Sequence, residues 1–119
     1  MRAHWDHPNL HYRLVDGDTT LLPGIELIET SGQVPGHQSV LVRLPQTGPV
    51  LLAIDAVTQA AQFDADAREL GPNDMDLDSV CVSTRKLVEL ALREDVALVV
   101  FGHDAAQWPT VKKAPDYYC

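Results

Sequence analysis

The sequence predicts an α/β fold, a mixed β-sheet carrying a helix on its flank. Three observations point there. Two continuous apolar runs, Val50-Leu51-Leu52-Ala53-Ile54 and Val96-Ala97-Leu98-Val99-Val100-Phe101, have the composition of strands buried on both faces. Between them, residues 76–95 repeat apolar side chains at helical spacing. Each run is closed by polar residues able to do chemistry: Asp55 after the first, Gly102-His103-Asp104 after the second. In α/β proteins the carboxyl ends of strands are where functional side chains collect.

From the N-terminus, residues 1–10 are polar and aromatic and are expected to be poorly ordered. Residues 12–15 alternate well enough for a short strand. Asp16-Gly17-Asp18 and Leu21-Leu22-Pro23-Gly24 read as turns. Ile25-Glu26-Leu27-Ile28-Glu29-Thr30 alternates apolar and polar, as a half-buried strand does. Residues 39–44, with β-branched Val40 and Val42, form the next strand. Pro45-Gln46-Thr47-Gly48-Pro49 returns the chain into the run at 50–54 as an antiparallel hairpin. Residues 56–63 have room for one or two helical turns, and Gly71-Pro72-Asn73-Asp74 breaks the chain. Asp76 and Asp78 are candidate N-caps for a helix running to about Asp95. Val80, Thr84, Leu87, Val88 and Ala91 share one face of it; Arg85, Lys86, Glu89, Arg93 and Glu94 largely take the other.

At 119 residues with 45% hydrophobic content, the chain is one domain at most and has the composition of a globular protein. Its net charge of −8, from 17 acidic and 9 basic residues, argues against nucleic acid or an anionic membrane as partner, because phosphate binding needs a basic patch. No apolar stretch approaches the length of a membrane span, and the first residues lack the apolar core of a signal peptide. A cytoplasmic location is the expectation, with Cys81 and Cys119 reduced.

Candidate functional residues follow from these strand ends. Asp55 can cap the segment after it or bind a metal. His103 can be a hydrogen-bonded histidine at a sheet edge or a ligand. His4, His7 and His11 have cluster-like spacing but read as surface residues in an acidic N-terminus. Trp108, close to His103, either packs as an ordinary aromatic or lines a pocket.

Several segments taken together resemble one family. These are Thr30-Ser31-Gly32-Gln33-Val34-Pro35-Gly36-His37-Gln38-Ser39, Leu52-Ala53-Ile54-Asp55-Ala56, Phe101-Gly102-His103-Asp104 and Ala114-Pro115-Asp116-Tyr117-Tyr118. They resemble the second half of a metallo-β-lactamase superfamily hydrolase, nearest to its quorum-quenching N-acyl homoserine lactonase branch, over most of residues 14–118. The resemblance implies the C-terminal half of an αββα sandwich, a mixed sheet with flanking helices. It implies a metal-dependent hydrolase acting on a cyclic ester, with zinc as the metal and a small lactone as substrate.

By this resemblance Asp55 stands at the metal-bridging aspartate and His103 at the last metal-binding histidine. A further ligand position, a histidine in the family, is here Gln33. His37 is implied to support the loop. Thr58 stands where the lactonases place a tyrosine beside the substrate carbonyl, so Asp55 and Thr58 are the implied catalytic residues. The family's other motif, His-x-His-x-Asp-His, is absent from these residues. A complete site then needs a complementing N-terminal half or a second copy in a homo-oligomer. The alternative is a catalytically inactive remnant, or a small oligomerising or binding module that keeps the half-fold.

Overall fold

The computed structural model describes residues 5–119; His4 and the start of the expected disordered segment lie outside them. Five strands form one sheet in the order of the sequence: β1 (Thr19–Leu22), β2 (Ile25–Glu29), β3 (Gln38–Leu44), β4 (Gly48–Ile54) and β5 (Leu98–Phe101). The first four are antiparallel neighbours, and β5 joins β4 in parallel, so the sheet is mixed as expected. A parallel neighbour needs a crossover. The helix α1 (Leu77–Arg93) supplies it.

Asp76 caps α1, its carboxylate accepting from the backbone N–H groups of Asp78 and Ser79 at 3.1 and 3.4 Å and from the Ser79 hydroxyl at 2.6 Å. The hydrogen bond from Ser79 leads the effects that hold the Asp76 carboxyl below its ordinary range. Val80, Ser83, Thr84, Leu87 and Leu90 are the buried positions of the helix. Leu87 and Leu90 pack with Ile28, Leu41, Leu51 and Ala53 of the sheet, with Ala56 and Val57 completing the cluster. Ser83 does not belong to the expected apolar face; its hydroxyl donates to the Ser31 carbonyl at 2.6 Å, which makes its burial tolerable.

Two expectations need correction. Residues 12–15 form no strand, and the first strand lies further on, at Thr19–Leu22. It pairs Thr19 with Leu27 and Leu22 with Ile25, so tertiary pairing overrides the turn reading of Leu21 and Leu22, and the turn is confined to Pro23-Gly24. Residues 56–63, expected to hold one or two helical turns, do hold one, the short 3-10 turn Ala60–Gln62.

Alternation divides each strand between two faces. Ile28, Ser39, Leu41, Leu51 and Ala53 point to the α1 side. The other side carries two cross-strand rows, Leu22–Ile25–Val42–Val50–Leu98 and Thr19–Leu27–Val40–Leu52–Val100. Among the described residues α1 is the single α-helix, and it covers only the first face. No helix among the described residues is long and apolar enough to cross a membrane. Cys81 and Cys119 are free thiols.

Candidate functional site

Strands β4 and β5 run side by side in the same direction, so Asp55 and His103, just beyond their ends, are carried to one edge of the sheet. Nε2 of His103 lies 3.0 Å from Oδ1 of Asp55. The imidazole is 72% exposed and the carboxylate 32%. Two backbone features enforce this meeting. Ile54 has φ of +55°, left-handed backbone that a β-branched residue adopts only under constraint. Gly102 lies so close that a Cβ there would stand 2.5 Å from the Ile54 carbonyl oxygen and 2.9 Å from Oδ1 of Asp55. A glycine before His103 is therefore a steric requirement of bringing the two strand ends together.

The His103 loop is clamped from both sides. Its backbone N–H donates to the Thr58 carbonyl at 2.9 Å. Asp104 accepts from the backbone N–H groups of Ala60, Ala106 and Gln107 at 2.7, 3.0 and 2.9 Å, and these bonds, Ala60 first, hold its carboxyl below the ordinary range. Gln107 pairs with the free edge of β5, accepting from Phe101 N–H at 3.0 Å and donating to the Val99 carbonyl at 2.6 Å. That side chain satisfies an edge that would otherwise invite another strand.

The loop bearing Gln33 and His37 is built on a buried hydrogen-bond chain. Ser39 Oγ donates to the Ala53 carbonyl at 3.0 Å, Thr30 Oγ1 lies 3.0 Å from Ser39 Oγ, and His37 Nδ1 lies 2.8 Å from Thr30 Oγ1. With the Ser39 proton spent on Ala53, Thr30 must donate to Ser39 and His37 must donate to Thr30. The network thus assigns the proton of the neutral imidazole to Nδ1. Burial pushes the His37 pKa below the ordinary imidazole value, partly opposed by the Asp55 charge. The imidazole thereby ties its loop, through Thr30 and Ser39, to β4. Gly32 in the same loop has φ of +151°, and a Cβ there would stand 2.8 Å from Val80, so the loop lies directly on α1.

Gln33, Asp55, Thr58 and His103 line one cleft of about 200 Å³, together with Arg68, Asn73 and Asp74. Thr58 donates its hydroxyl to Gln62 Oε1 at 2.8 Å. Neither Arg68 nor Asp74 stands out in the sequence as a functional residue: Arg68 lies in the charged stretch Asp64-Ala65-Asp66-Ala67-Arg68-Glu69 and Asp74 in the break at Gly71-Pro72-Asn73-Asp74. Yet the Arg68 side chain is 1% exposed and pairs with Asp74 at 3.3 Å, while Asp74 also accepts from Gly71 N–H at 2.6 Å. The Arg68 guanidinium reaches the Glu69 and Ala56 carbonyls, and its Nε is buried without a partner.

A metal ion tests this donor set. Structural and catalytic zinc sites draw three or four protein ligands, chiefly imidazole, thiolate and carboxylate. Asp55 and His103 are two, the amide of Gln33 is a poor substitute, and no group of three candidate ligands occurs among the described residues. The residues present do not by themselves fit a two-metal centre.

Comparison with known proteins agrees with this half-built picture. No protein-family model matches the chain. A curated N-acyl homoserine lactonase from a Bacillus species is 37% identical over 110 residues, covering 92% of this chain and 42% of its own length. The N-acyl homoserine lactonase AttM of Azorhizobium caulinodans is 39% identical over 128 residues, covering 99% of this chain and 46% of its own. A solved N-acyl homoserine lactone hydrolase, with the product N-hexanoyl-L-homoserine bound at its catalytic metal centre, superposes with a TM-score of 0.85 at 32% identity over 98% of this chain and 45% of that one. The chain spans less than half the length of these relatives. Its fold is one half of a metallo-β-lactamase-type sandwich. Within that superfamily it is similar to the C-terminal portion of the N-acyl homoserine lactonases.

Proposed function

We propose that this chain carries half of the site of a metal-dependent N-acyl homoserine lactone hydrolase, and that taken alone it is catalytically silent. It opens lactones only when a complementary sheet layer covers the face turned away from α1 and brings the remaining ligands. The carrying observation is the Asp55–His103 pair at the ends of β4 and β5, with no third candidate ligand grouped beside it among the described residues.

In this reading Asp55 and His103 are the ligands the chain contributes to a shared zinc site, and Asp55 can also pass a proton to the leaving alkoxide. The Thr58 hydroxyl stands beside the reacting carbonyl, and Gln33 and His37 shape the loop above. The likeness to lactonases over 92–99% of the chain supports the substrate class. The two aliphatic rows on the uncovered face support the need for a second layer.

Lactone opening, followed by acid release, tests the proposal. The chain alone, with or without added zinc, should stay at background. Adding the N-terminal half of a related lactonase should yield zinc-dependent turnover that Asp55→Ala abolishes and Gln33→His increases. Zinc-dependent turnover by the unmodified chain alone, lost in Asp55→Ala and His103→Ala, would overturn it.

The same uncovered rows favour a second reading, in which two copies stack face to face as a homo-oligomer. Sedimentation distinguishes it: a compact monomer at high concentration rules it out.

A further inference from the structure

We propose that residues 10–15 are an exchange arm: they add as a further strand to the open edge of β1 in a second copy of this chain, with Arg13 set against Glu89 of that copy's α1. The proposal is independent of the lactonase reading.

The two edges of the sheet differ. On β5 the Gln107 side chain occupies the edge, bonded to the Phe101 N–H and the Val99 carbonyl. β1 pairs with β2 alone, and no strand among the described residues lies beyond it. An edge left open in this way is a template for another segment of chain. Beside it a groove of about 360 Å³ runs between β1 and α1, with Ile28 and Leu90 buried at its floor. A strand edge next to a helix is a setting in which an extended segment adds to a sheet.

Residues 10–15 have the pattern of a strand and nothing to pair with. Leu10, Tyr12 and Leu14 alternate with His11, Arg13 and Val15. Yet they form no strand, line no part of the groove in their own chain, and leave Leu14 92% exposed. Asp18 keeps them away. Its Oδ1 accepts from the Glu29 N–H at 2.8 Å and from the Lys86 ammonium at 2.6 Å. The chain is thereby held beside the end of β2, and the residues before it run off the sheet instead of back along β1.

On the edge of a second copy, both sides of the segment find a match. In a strand, alternation sends Leu10, Tyr12 and Leu14 to one face and Arg13 to the other. The apolar three extend the aliphatic rows of the open face. Arg13 then turns toward α1, and charge selects it as the occupant. Of the carboxylates lining the groove, Asp18 pairs with Lys86, and Glu26 and Glu94 pair with Arg43. Glu89 is the one left over, exposed and in no ion pair among the described residues. Arg13 is the single charged residue of the segment, likewise exposed and unpaired. Exchange in both directions satisfies both groups in both copies and closes at a dimer.

Sedimentation of the full chain tests this through a charge swap. The chain should form a concentration-dependent dimer. Arg13→Glu and Glu89→Arg should each weaken it about tenfold, because each sets like charges together. Far-ultraviolet circular dichroism should not change, since both positions are exposed. Mixing the two variants should restore the original affinity, because each arm then meets a groove of opposite charge.

A monomer at high concentration would overturn the proposal. So would single variants that associate as tightly as the original chain, or a mixture no tighter than its components. Loss of association confined to Leu52→Ser would overturn it in favour of face-to-face stacking.

Discussion

The two faces of the sheet are built from the same strands, yet one is finished and the other is not. On the α1 side, Leu41, Leu51 and Leu87 are 1%, 0% and 0% exposed, and the polar groups among them are hydrogen-bonded. On the far side, the rows through Val42 and Val40 carry as many aliphatic residues without a helix above them; most of these are only half-buried and Leu22 at the edge is 56% exposed, although Val50 in the middle is 5% exposed. The difference teaches that the stability of the chain and its chemistry are separable. The closed face holds the fold together. The site at the sheet's edge is positioned by that fold, beside a face that no α-helix among the described residues covers.

Substitutions on the two faces should therefore behave unlike one another. Leu87→Ala, in the closed core, should cost about 2–5 kcal/mol through lost burial and the cavity it leaves. Denaturant unfolding checks this. The matched substitution Leu52→Ser on the open face should cost under about 1 kcal/mol, within the range of surface changes, while reducing self-association in sedimentation. Equal costs on both faces would break the contrast and show that the far face is already covered.

Arg68→Ala should be of similar size to the core change, about 3–5 kcal/mol, because it strands Asp74 inside the protein. A surface arginine would show almost none of that loss, so the same unfolding measurement decides whether the loop at 64–76 is part of the closed structure. Gly102→Ala should be smaller, about 1–3 kcal/mol as for an overpacked core position, with its main effect local. Nuclear magnetic resonance should show Asp55 and His103 shifted while the α1 resonances stay in place.

The smallest effect concerns His37. Its imidazole titrates lower in the folded chain than in the unfolded one, because burial disfavours the cation. The unfolded state thus binds more protons as pH falls through the ordinary histidine range. His37 contributes stability that is fully present above its unfolded pKa and is lost as pH falls towards the folded one. His37→Asn should flatten that part of the stability profile, and an unchanged slope would place the acid sensitivity elsewhere.

Much of this fold is legible in the amino-acid sequence. β2 and β3 announce themselves through alternation and β-branched residues, β4 and β5 through unbroken apolar runs, and α1 through its period and the Asp76 cap. β1 does not, because Leu21 and Leu22 sit against Pro23-Gly24 and gain strand character only from pairing with β2. Asp55 and His103 stand out as polar residues closing apolar runs, but their contact depends on parallel pairing that no local pattern encodes. Arg68 is invisible for a related reason. Its neighbours are those of a hydrated loop, and only the fold buries it. The glycine before His103 is visible as a residue, while its cause, the close approach of the Ile54 carbonyl, is not.

Metal retention tests the central claim of a half-built site most directly. The isolated chain is loaded with zinc, dialysed against a mild chelator, and its metal content measured by elemental analysis. With Asp55 and His103 as a pair and no group of three candidate ligands among the described residues, it should bind no tighter than about micromolar, near 8 kcal/mol, and retain well under one equivalent. Two equivalents of zinc held per chain, released by Asp55→Ala, would contradict the account.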